Sequence, residues 1–197
     1  MSPRVIVIGG SAGALEVLLA ILPTLPATRT TPIVIVLHLA PTPPSLVPAL
    51  LERATALRVI EVEDKQPLLP GTIHVAPANY HVLFERDATL ALSVDEAVNF
   101  SRPSIDVSFE SVARAFGPGA IGILLSGAND DGAVGLWHIA EAGGLAVVQD
   151  PATARQPIMP RAAIHLLRTR ARVAAPGNIA AILAGSEDGP GVQEQAG

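Results

Sequence analysis

The sequence contains no cysteine, few aromatic residues and no run of basic residues. Without cysteine the chain can form no disulfide, no thiolate nucleophile and no zinc–thiolate site, which suits a reducing compartment. Its aromatic residues are one Trp, one Tyr and four Phe, and the formal net charge is -5. Both properties argue against a surface that binds nucleic acid, because such surfaces need clustered positive charge and aromatic stacking groups.

The sequence also contains no long uninterrupted apolar run, and we expect no secretory leader. No basic stretch precedes an apolar segment at the N-terminus, and Glu16, Pro23 and Pro26 interrupt the longest apolar helix. We therefore expect a soluble, cytoplasmic protein without membrane insertion. The chain has 197 residues, 49% of them hydrophobic, which is enough for one sizeable core. We expect one domain over residues 1–185 and a disordered, glycine-rich tail over residues 186–197.

Strand and helix patterns alternate along most of the chain. Short runs of β-branched residues predict buried strands, and apolar residues at helical spacing between them predict helices. A change to period two in the middle of the chain predicts an antiparallel hairpin. The fold class is therefore α/β: a doubly wound, mostly parallel sheet with helices on both faces and an added antiparallel hairpin. The predicted parallel strands are residues 4–8, 33–38, 57–62, 120–125, 145–149 and 171–173, the period-two strands are 72–76, 81–85 and 89–93, and the helices begin near Leu15, Ser45, Ser104, Gly132, Arg161 and Asn178.

The first strand ends in the glycine-rich turn Gly9-Gly10-Ser11-Ala12-Gly13. This turn fits the G-x-S-x-G pattern, in which small neighbours let a strained turn lift a nucleophilic serine above the sheet. Glycines after a first strand are as often a phosphate-binding loop or a point of close packing. The turn alone therefore leaves a nucleophile, a nucleotide site and plain packing open.

Three predicted strands end in polar residues of complementary chemistry: Ser11, His38, and the pair Asp130 and Asp131. Carboxyl ends of parallel strands share one edge of a sheet, so a hydroxyl, an imidazole and a carboxylate would meet there. These are the parts of a hydrolytic triad. The alternatives are a packed core histidine and an aspartate that only caps a helix.

The chain order of these residues separates them from better-known sites. An α/β-hydrolase runs serine, acid, histidine, whereas the order here is serine, histidine, aspartate. Gly9 and Gly13 form neither G-x-G-x-x-G nor a lysine-containing phosphate loop, and His38 stands where a dinucleotide fold would need an acidic residue. A distinct hydrolase lineage is therefore favoured over a nucleotide-binding module.

Six motifs in order resemble the catalytic domain of the CheB chemotaxis protein-glutamate methylesterases. They cover nearly all of residues 4–185. The motifs are Ile8-Gly9-Gly10-Ser11-Ala12-Gly13, Leu37-His38-Leu39-Ala40-Pro41, Gly71-Thr72-Ile73-His74-Val75-Ala76-Pro77 with His81, Arg102-Pro103-Ser104-Ile105-Asp106, Leu125-Ser126-Gly127-Ala128-Asn129-Asp130-Asp131-Gly132-Ala133, and Gln149-Asp150-Pro151 with Met159-Pro160.

The resemblance implies catalytic roles for three residues: Ser11 as nucleophile, His38 as general base and acid, and Asp131 as the orienting carboxylate. Asp131 is preferred to Asp130 because it directly precedes Gly132 and Ala133, as in the family. The implied substrates are methylated glutamates in the helical cytoplasmic region of methyl-accepting chemotaxis receptors, with receptor glutamines as a further substrate for deamidation. A receiver or a methyltransferase is a further implied partner. No cofactor or metal is implied.

Four residues depart from the family pattern beside the implied site: Ala12, Ala14, Ala128 and Asn129. They affect pocket shape and leave a catalytically weak signalling scaffold as an alternative function. Backbone N–H groups near Ala12 and in the loop 127–129 are candidates for an oxyanion site. The family commonly carries an N-terminal receiver domain, which the sequence does not contain. A stand-alone form, an excised domain and part of a fusion all fit this.

Other polar residues are expected to be structural. Arg102 and Ser104 are expected to anchor a turn and to cap a helix, with a substrate role as the alternative. His74 and His81 are a weak candidate for a metal site, because no cysteine or H-E-x-x-H accompanies them. Trp137 is expected in the core.

Overall fold

The computed structural model describes residues 5–38 and 46–185. Ten strands and six α-helices make up this described part of the chain. The strands are β1 Val5–Gly10, β2 Ile33–Leu37, β3 Arg58–Glu61, β4 Gln66–Pro67, β5 Thr72–Val75, β6 His81–Phe84, β7 Thr89–Ser93, β8 Ala120–Leu124, β9 Leu145–Gln149 and β10 Arg172–Ala174. The helices are α1 Ala14–Ile21, α2 Val47–Arg53, α3 Ile105–Phe116, α4 Ala133–Glu141, α5 Ile158–Leu167 and α6 Pro176–Ala184.

Seven strands form one parallel sheet in the order β10-β9-β8-β1-β2-β5-β3. The chain starts on the central strand β1, builds one half of the sheet through β2, β3 and β5, and then crosses to β8 on the other side of β1. The direction of winding therefore reverses at β1, and in sheets of this kind ligands bind outside the carboxyl ends of the strands at that point.

Alternating side chains of the central strands point into two separate cores. Val5 and Val7 face the core that contains α3, α4 and α5, whereas Ile6 and Ile8 face the core that contains α1, α2 and α6. All four are fully buried. A strand buried on both faces has to be apolar throughout, which is why the sequence shows a continuous β-branched run here. The predicted doubly wound α/β sheet with helices on both faces is confirmed.

The predicted antiparallel hairpin is β6 and β7, and it is confirmed. Residues 72–76, which were grouped with the period-two strands, instead form β5 of the parallel sheet, so that part of the prediction is wrong. A third strand, β4, pairs with β7 and was not predicted. The two residues of β4, Gln66 and Pro67, are too few to show period-two alternation. This small sheet packs on α3, where the Ser108 hydroxyl donates to the Val82 carbonyl at 2.9 Å and the Phe84 N–H donates to the Ser111 hydroxyl at 3.1 Å.

Two helix starts differ from the predictions. Helix α5 begins at Ile158 rather than Arg161, because proline in the first turn needs no hydrogen bond and Pro160 therefore does not end the helix. Helix α6 begins at Pro176 for the same reason. The predicted helix cap at Ser45 and the predicted tail 186–197 lie outside the described residues, and the single-domain boundary stays a prediction. None of the helices in residues 5–38 and 46–185 is long and apolar enough to cross a membrane.

Candidate active site

Ser11 follows β1 directly and lies between the ends of its two neighbouring strands. Its N–H donates to the Ser126 carbonyl on the β8 side at 2.9 Å. On the other side, the Gly10 carbonyl accepts from the His38 N–H at 3.2 Å. The ladder of the sheet therefore continues one residue beyond β1 on both sides and fixes the backbone of Ser11 beside that of His38.

The turn after Ser11 differs from the expected strained elbow. Ser11 has no left-handed φ, and the positive φ of this turn is 89° at Gly13, the N-cap of α1. A left-handed backbone costs glycine almost nothing, so the strain that the pattern predicted at the serine is avoided. The turn still leaves Ser11 only half-buried at the carboxyl edge of the sheet.

His38 and Asp131 form a close pair across the same edge. Nε2 of His38 lies 2.8 Å from Oδ2 of Asp131. The Asp131 side chain is completely buried, and that of His38 is 15% exposed. Because a carboxylate can only accept, Nε2 carries the proton of this hydrogen bond and Nδ1 is the nitrogen left to accept a proton. This reverses the ring orientation of the chymotrypsin triad, where Nδ1 bonds the aspartate.

Asp131 is held at the N-terminus of α3. Its carboxylate accepts hydrogen bonds from the N–H of Ile105 at 2.7 Å, the N–H of Asp106 at 3.1 Å and the hydroxyl of Ser104 at 2.9 Å. Burial by itself raises the pKa of Asp131, but the hydrogen bonds from His38 and from these α3 groups outweigh it and hold the pKa below its ordinary value. Asp131 is therefore ionised across the neutral range, and its charge lies against the His38 ring.

Asp130 and Asp131 occupy different environments although they are adjacent. Asp130 is exposed, whereas Asp131 is buried against α3 and bonded to His38. Of the two carboxylates that the sequence offered, the structure brings Asp131 to the histidine.

The hydroxyl of Ser11 makes no hydrogen bond to any residue in the ranges 5–38 and 46–185. The structure therefore brings two of the three predicted site residues, His38 and Asp131, into direct contact and places the third on the neighbouring strand end. Hydrogen bonds between a nucleophile and its base are often long in a free enzyme and shorten when substrate binds.

Two buried polar residues that the sequence analysis did not single out hold the Ser11 turn. The Ser126 hydroxyl donates to the Ala12 carbonyl at 2.7 Å and accepts from the Gln156 N–H at 2.9 Å. The Ser126 N–H donates to Oε1 of Gln149 at 2.9 Å, and the Gln149 amide nitrogen donates to the Thr153 carbonyl at 3.2 Å. Both residues belong to the resemblance motifs, and full burial of a polar side chain is the signal that only the fold reveals.

The residues expected to be structural make contacts within the fold. Ser104 caps α3, its hydroxyl accepting from the Val107 N–H at 3.4 Å. Arg102 anchors a turn by donating to the carbonyls of Val94 and Asp95. Trp137 is only partly buried, although it packs against the core as expected.

His81 has a structural role beside the site. Its Nδ1 accepts from the Ser104 N–H at 3.1 Å and its Nε2 donates to the Glu96 carbonyl at 3.1 Å, so the ring positions the start of α3. His74 is fully buried in β5, and burial lowers its pKa to about 4. The described residues contain no group of side chains that could hold a metal ion.

The departures at Ala128 and Asn129 lie in the loop before Asp131. Ala128 is exposed, and Asn129 does not have a positive φ. Oδ1 of Asn129 is buried without a hydrogen-bond partner in the described part of the chain.

Comparison with known proteins gives the family. The model of the CheB methylesterase family matches residues 6–183. The chain belongs to this family. A solved structure with the same fold is the CheB methylesterase catalytic domain of Thermotoga maritima, which is 27% identical and superposes with a TM-score of 0.88 over 95% of this chain and all of that one.

Curated relatives fall into two lengths. A putative protein-glutamate methylesterase/protein-glutamine glutaminase of Leptospira interrogans is 48% identical over 165 residues, which is 84% of this chain and 86% of the relative. Protein-glutamate methylesterase/protein-glutamine glutaminase 2 of Pseudomonas aeruginosa is 38% identical over 166 residues, which is 83% of this chain and 47% of the relative. The chain therefore spans most of the first protein and about half of the second.

Proposed function

We propose that this protein is a serine hydrolase that removes methyl groups from methylated glutamate side chains of chemotaxis receptors. The observation that carries the proposal is the 2.8 Å contact between Nε2 of His38 and the buried carboxylate of Asp131, at the sheet edge where Ser11 follows the central strand. Membership in the CheB methylesterase family supports the same activity and favours it over a silent scaffold or a nucleotide-binding module.

Ser11 is the proposed nucleophile and His38 the base. Nδ1 of His38 takes the proton of the Ser11 hydroxyl as its oxygen attacks the ester carbonyl carbon of the substrate. The imidazolium that forms is stabilised by Asp131, which stays ionised because its hydrogen bonds lower its pKa. Methanol leaves with the proton from His38, and a water activated by His38 then hydrolyses the acyl-serine to glutamate and free Ser11.

Backbone N–H groups beside Ser11 are the proposed oxyanion donors. The N–H groups of Ala12 and Asn129 donate to no described residue, so they are free to bind the negative oxygen of the tetrahedral intermediate. Ser126 and Gln149 hold the two loops that carry them. Preorganised donors of this kind stabilise a developing charge because they need no reorientation.

Deamidation of receptor glutamine is a second activity of the same site. The relatives from Leptospira interrogans and Pseudomonas aeruginosa carry glutaminase in their names. The steps are the same, with ammonia as the leaving group, and an amide is the less reactive substrate. The helical region of the receptor lies in the cytoplasm, so the proposal requires a cytoplasmic protein. A receiver or methyltransferase partner would link the activity to signalling.

Methanol release from a methylated receptor fragment tests the proposal. Purified protein is expected to release methanol and to leave glutamate at the methylated positions, as read by mass spectrometry. Ser11→Ala protein of the same thermal stability should release none above background. Equal methanol release by the wild type and by Ser11→Ala would overturn the proposed mechanism, and no release by the wild type would overturn the proposed activity.

A further inference from the structure

Two helices beside the site each have their N-terminus capped by a carboxylate from the segment at the start of the other helix. Asp131, which directly precedes the α4 N-cap, accepts from the first N–H groups of α3. In the other direction Asp106, in the first turn of α3, accepts from the Gly135 N–H of α4 at 2.7 Å and from the Gly132 N–H. The carboxylate that caps each helix is therefore supplied by the segment that starts the other.

The two helices also approach each other too closely to slide. A Cβ atom on Gly135 would lie 2.6 Å from the Asp106 carbonyl oxygen and 2.6 Å from Cβ of Phe109. The backbone of α4 thus lies directly against α3 where the carboxylates are exchanged. A change in the capping of either helix would move both, and with them the carboxylate bonded to His38.

Asp106 also faces Asp131 electrostatically. Burial, and then the charge of Asp131, raise the pKa of Asp106 to about 6 despite the hydrogen bonds from Gly135 and Gly132. Its other oxygen accepts from the Asn99 side chain at 3.3 Å. Asp106 is therefore a second carboxylate within the network that reaches His38.

Other charged groups around Asp106 are engaged elsewhere or distant in the fold. On α3, Glu110 is paired with Arg114. On α4 the first turn has no acidic residue, and its basic residue His138 lies in the last turn. On the preceding loop, the Arg102 guanidinium bonds backbone carbonyls. On the loop before α4, Asp130 is exposed to solvent, whereas Asp106 is half-buried. The charge that acts on Asp131 from within this network therefore comes from Asp106.

We propose that Asp106 is a positioning residue for the His38–Asp131 pair. Its acceptor oxygen holds the start of α4, and therefore Asp131, at hydrogen-bond distance from α3 and His38. Its negative charge adds to that of Asp131 and favours the protonated imidazole. The kinetic part of this inference rests on the proposed esterase function.

Two substitutions separate the acceptor from the charge. Asp106→Ala removes both and is expected to lower kcat about 10- to 100-fold with little change in KM, the scale on which loss of an orienting partner acts at other sites. Asp106→Asn keeps an oxygen for the Gly135 N–H and removes the charge. It should restore most of kcat at neutral pH and shift the acid limb of the pH–rate profile to lower pH, because the imidazolium loses a stabilising charge.

Asp87→Asn is the matched control. Asp87 is an exposed carboxylate that accepts from the Thr89 N–H and hydroxyl in the antiparallel sheet, away from the site. Its pH–rate profile should coincide with that of the wild type. Wild-type kcat in Asp106→Ala, or an Asp106→Asn profile that coincides with the control, would overturn the proposal.

NMR titration of the His38 ring nitrogens tests Asp106 without any substrate. In the Asp106→Asn protein the ring is expected to protonate at lower pH than in the wild type and in Asp87→Asn. Coinciding titrations in the three proteins would overturn the electrostatic role even if all three are active esterases. If the wild type proves inactive on methylated receptor, the proposed function fails while this titration still decides the role of Asp106.

Discussion

The two loops that flank the site are held by different chemistry. The serine loop, residues 11–13, is fixed by neutral hydrogen bonds through Ser126 and by a left-handed glycine, and α1 after it has no side-chain cap. The acid loop, residues 129–132, is fixed by the charge of Asp131 on the N-terminus of α3 and by the hydrogen bond from α4 to the Asp106 carboxyl group. The serine loop depends on neutral hydrogen bonds and backbone shape, whereas the acid loop depends on the ionisation of Asp131.

This difference separates reactivity from stability. The hydroxyl of Ser11, the proposed nucleophile, contributes no hydrogen bond to the described fold, so we expect that it can be removed without loss of stability. The Asp131 carboxylate bonds both His38 and α3, so its removal should damage both. The acid loop therefore couples catalysis to folding, and the serine loop does not.

Ser11→Ala tests whether the serine loop can lose activity without losing stability. The variant should lose kcat/KM by roughly 10⁴-fold or more, since members of a triad act as a unit. Its melting temperature should stay at the wild-type value, because no described hydrogen bond is lost. Methanol release and calorimetry measure the two quantities, and Ser93→Ala in the antiparallel sheet serves as a control that keeps full activity. A clear drop in melting temperature would show that the hydroxyl is structural.

Asp131→Asn should lower both the activity and the free energy of unfolding. Activity is expected to fall by up to about 10⁴-fold, because a neutral amide neither fixes the tautomer of His38 nor stabilises its charged form. An amide nitrogen facing the N–H donors of α3 should lower the free energy of unfolding by about 1–3 kcal/mol. Asp130→Asn, the same change at the exposed neighbour, should alter neither property. Similar behaviour of the two variants in urea unfolding and methanol release would contradict the assignment of Asp131.

Ser126→Ala tests whether uncharged hydrogen bonds hold the serine loop in place. The substitution leaves the Ala12 carbonyl and the Gln156 N–H without their partner, which should cost about 1–3 kcal/mol of unfolding free energy. Activity should fall less than in Asp131→Asn, because no charge is removed, and the loss of stability should be the same at pH 5 and pH 8. Ser101→Ala, which removes a half-buried hydroxyl outside the serine loop that donates to the Asn99 carbonyl, is the control. A strongly pH-dependent loss would show that the serine loop also relies on ionisation.

The pH dependence of stability gives the smallest expected effect. The pKa of Asp106 is raised from 3.8 to about 6. Its contribution to the free energy of unfolding is therefore fully present below pH 4 and is lost as pH rises through 6. The pKa of Asp131 is lowered, so its contribution is present above pH 4 and is lost as pH falls further. Urea unfolding from pH 4 to 7 should therefore show the wild type losing stability relative to Asp106→Asn as pH rises. A constant difference between the two proteins would contradict the raised pKa.

Much of the fold was predictable because strands buried on both faces leave a continuous apolar signal. The run before Ser11 and the run before His38 both gave the correct strands and put both residues at the correct edge. The short strand β4 was missed since two residues carry no periodic pattern. Helix α5 begins before its predicted start because its proline lies in the first turn and does not end the helix.

The sequence predicted that the residues of the candidate site end neighbouring strands, but it did not predict the contacts that hold them in place. The polar ends of three strands indicated Ser11, His38 and Asp131, but the choice between Asp130 and Asp131 came from family resemblance and not from spacing. The roles of Asp106, Ser126 and Gln149 depend on contacts between segments far apart in the chain. His81 looked like a weak metal ligand because the sequence cannot show that its ring faces the start of α3.

The reciprocal capping of α3 and α4 by Asp131 and Asp106 should slow the exchange of amide protons with solvent. Amide protons in the first turn of a helix normally exchange quickly, because they lack an intrahelical partner. Here the amides of Ile105, Asp106 and Gly135 are bonded to carboxylates. They should exchange as slowly as amides of the central strands, and all three should be released together when either carboxylate is replaced.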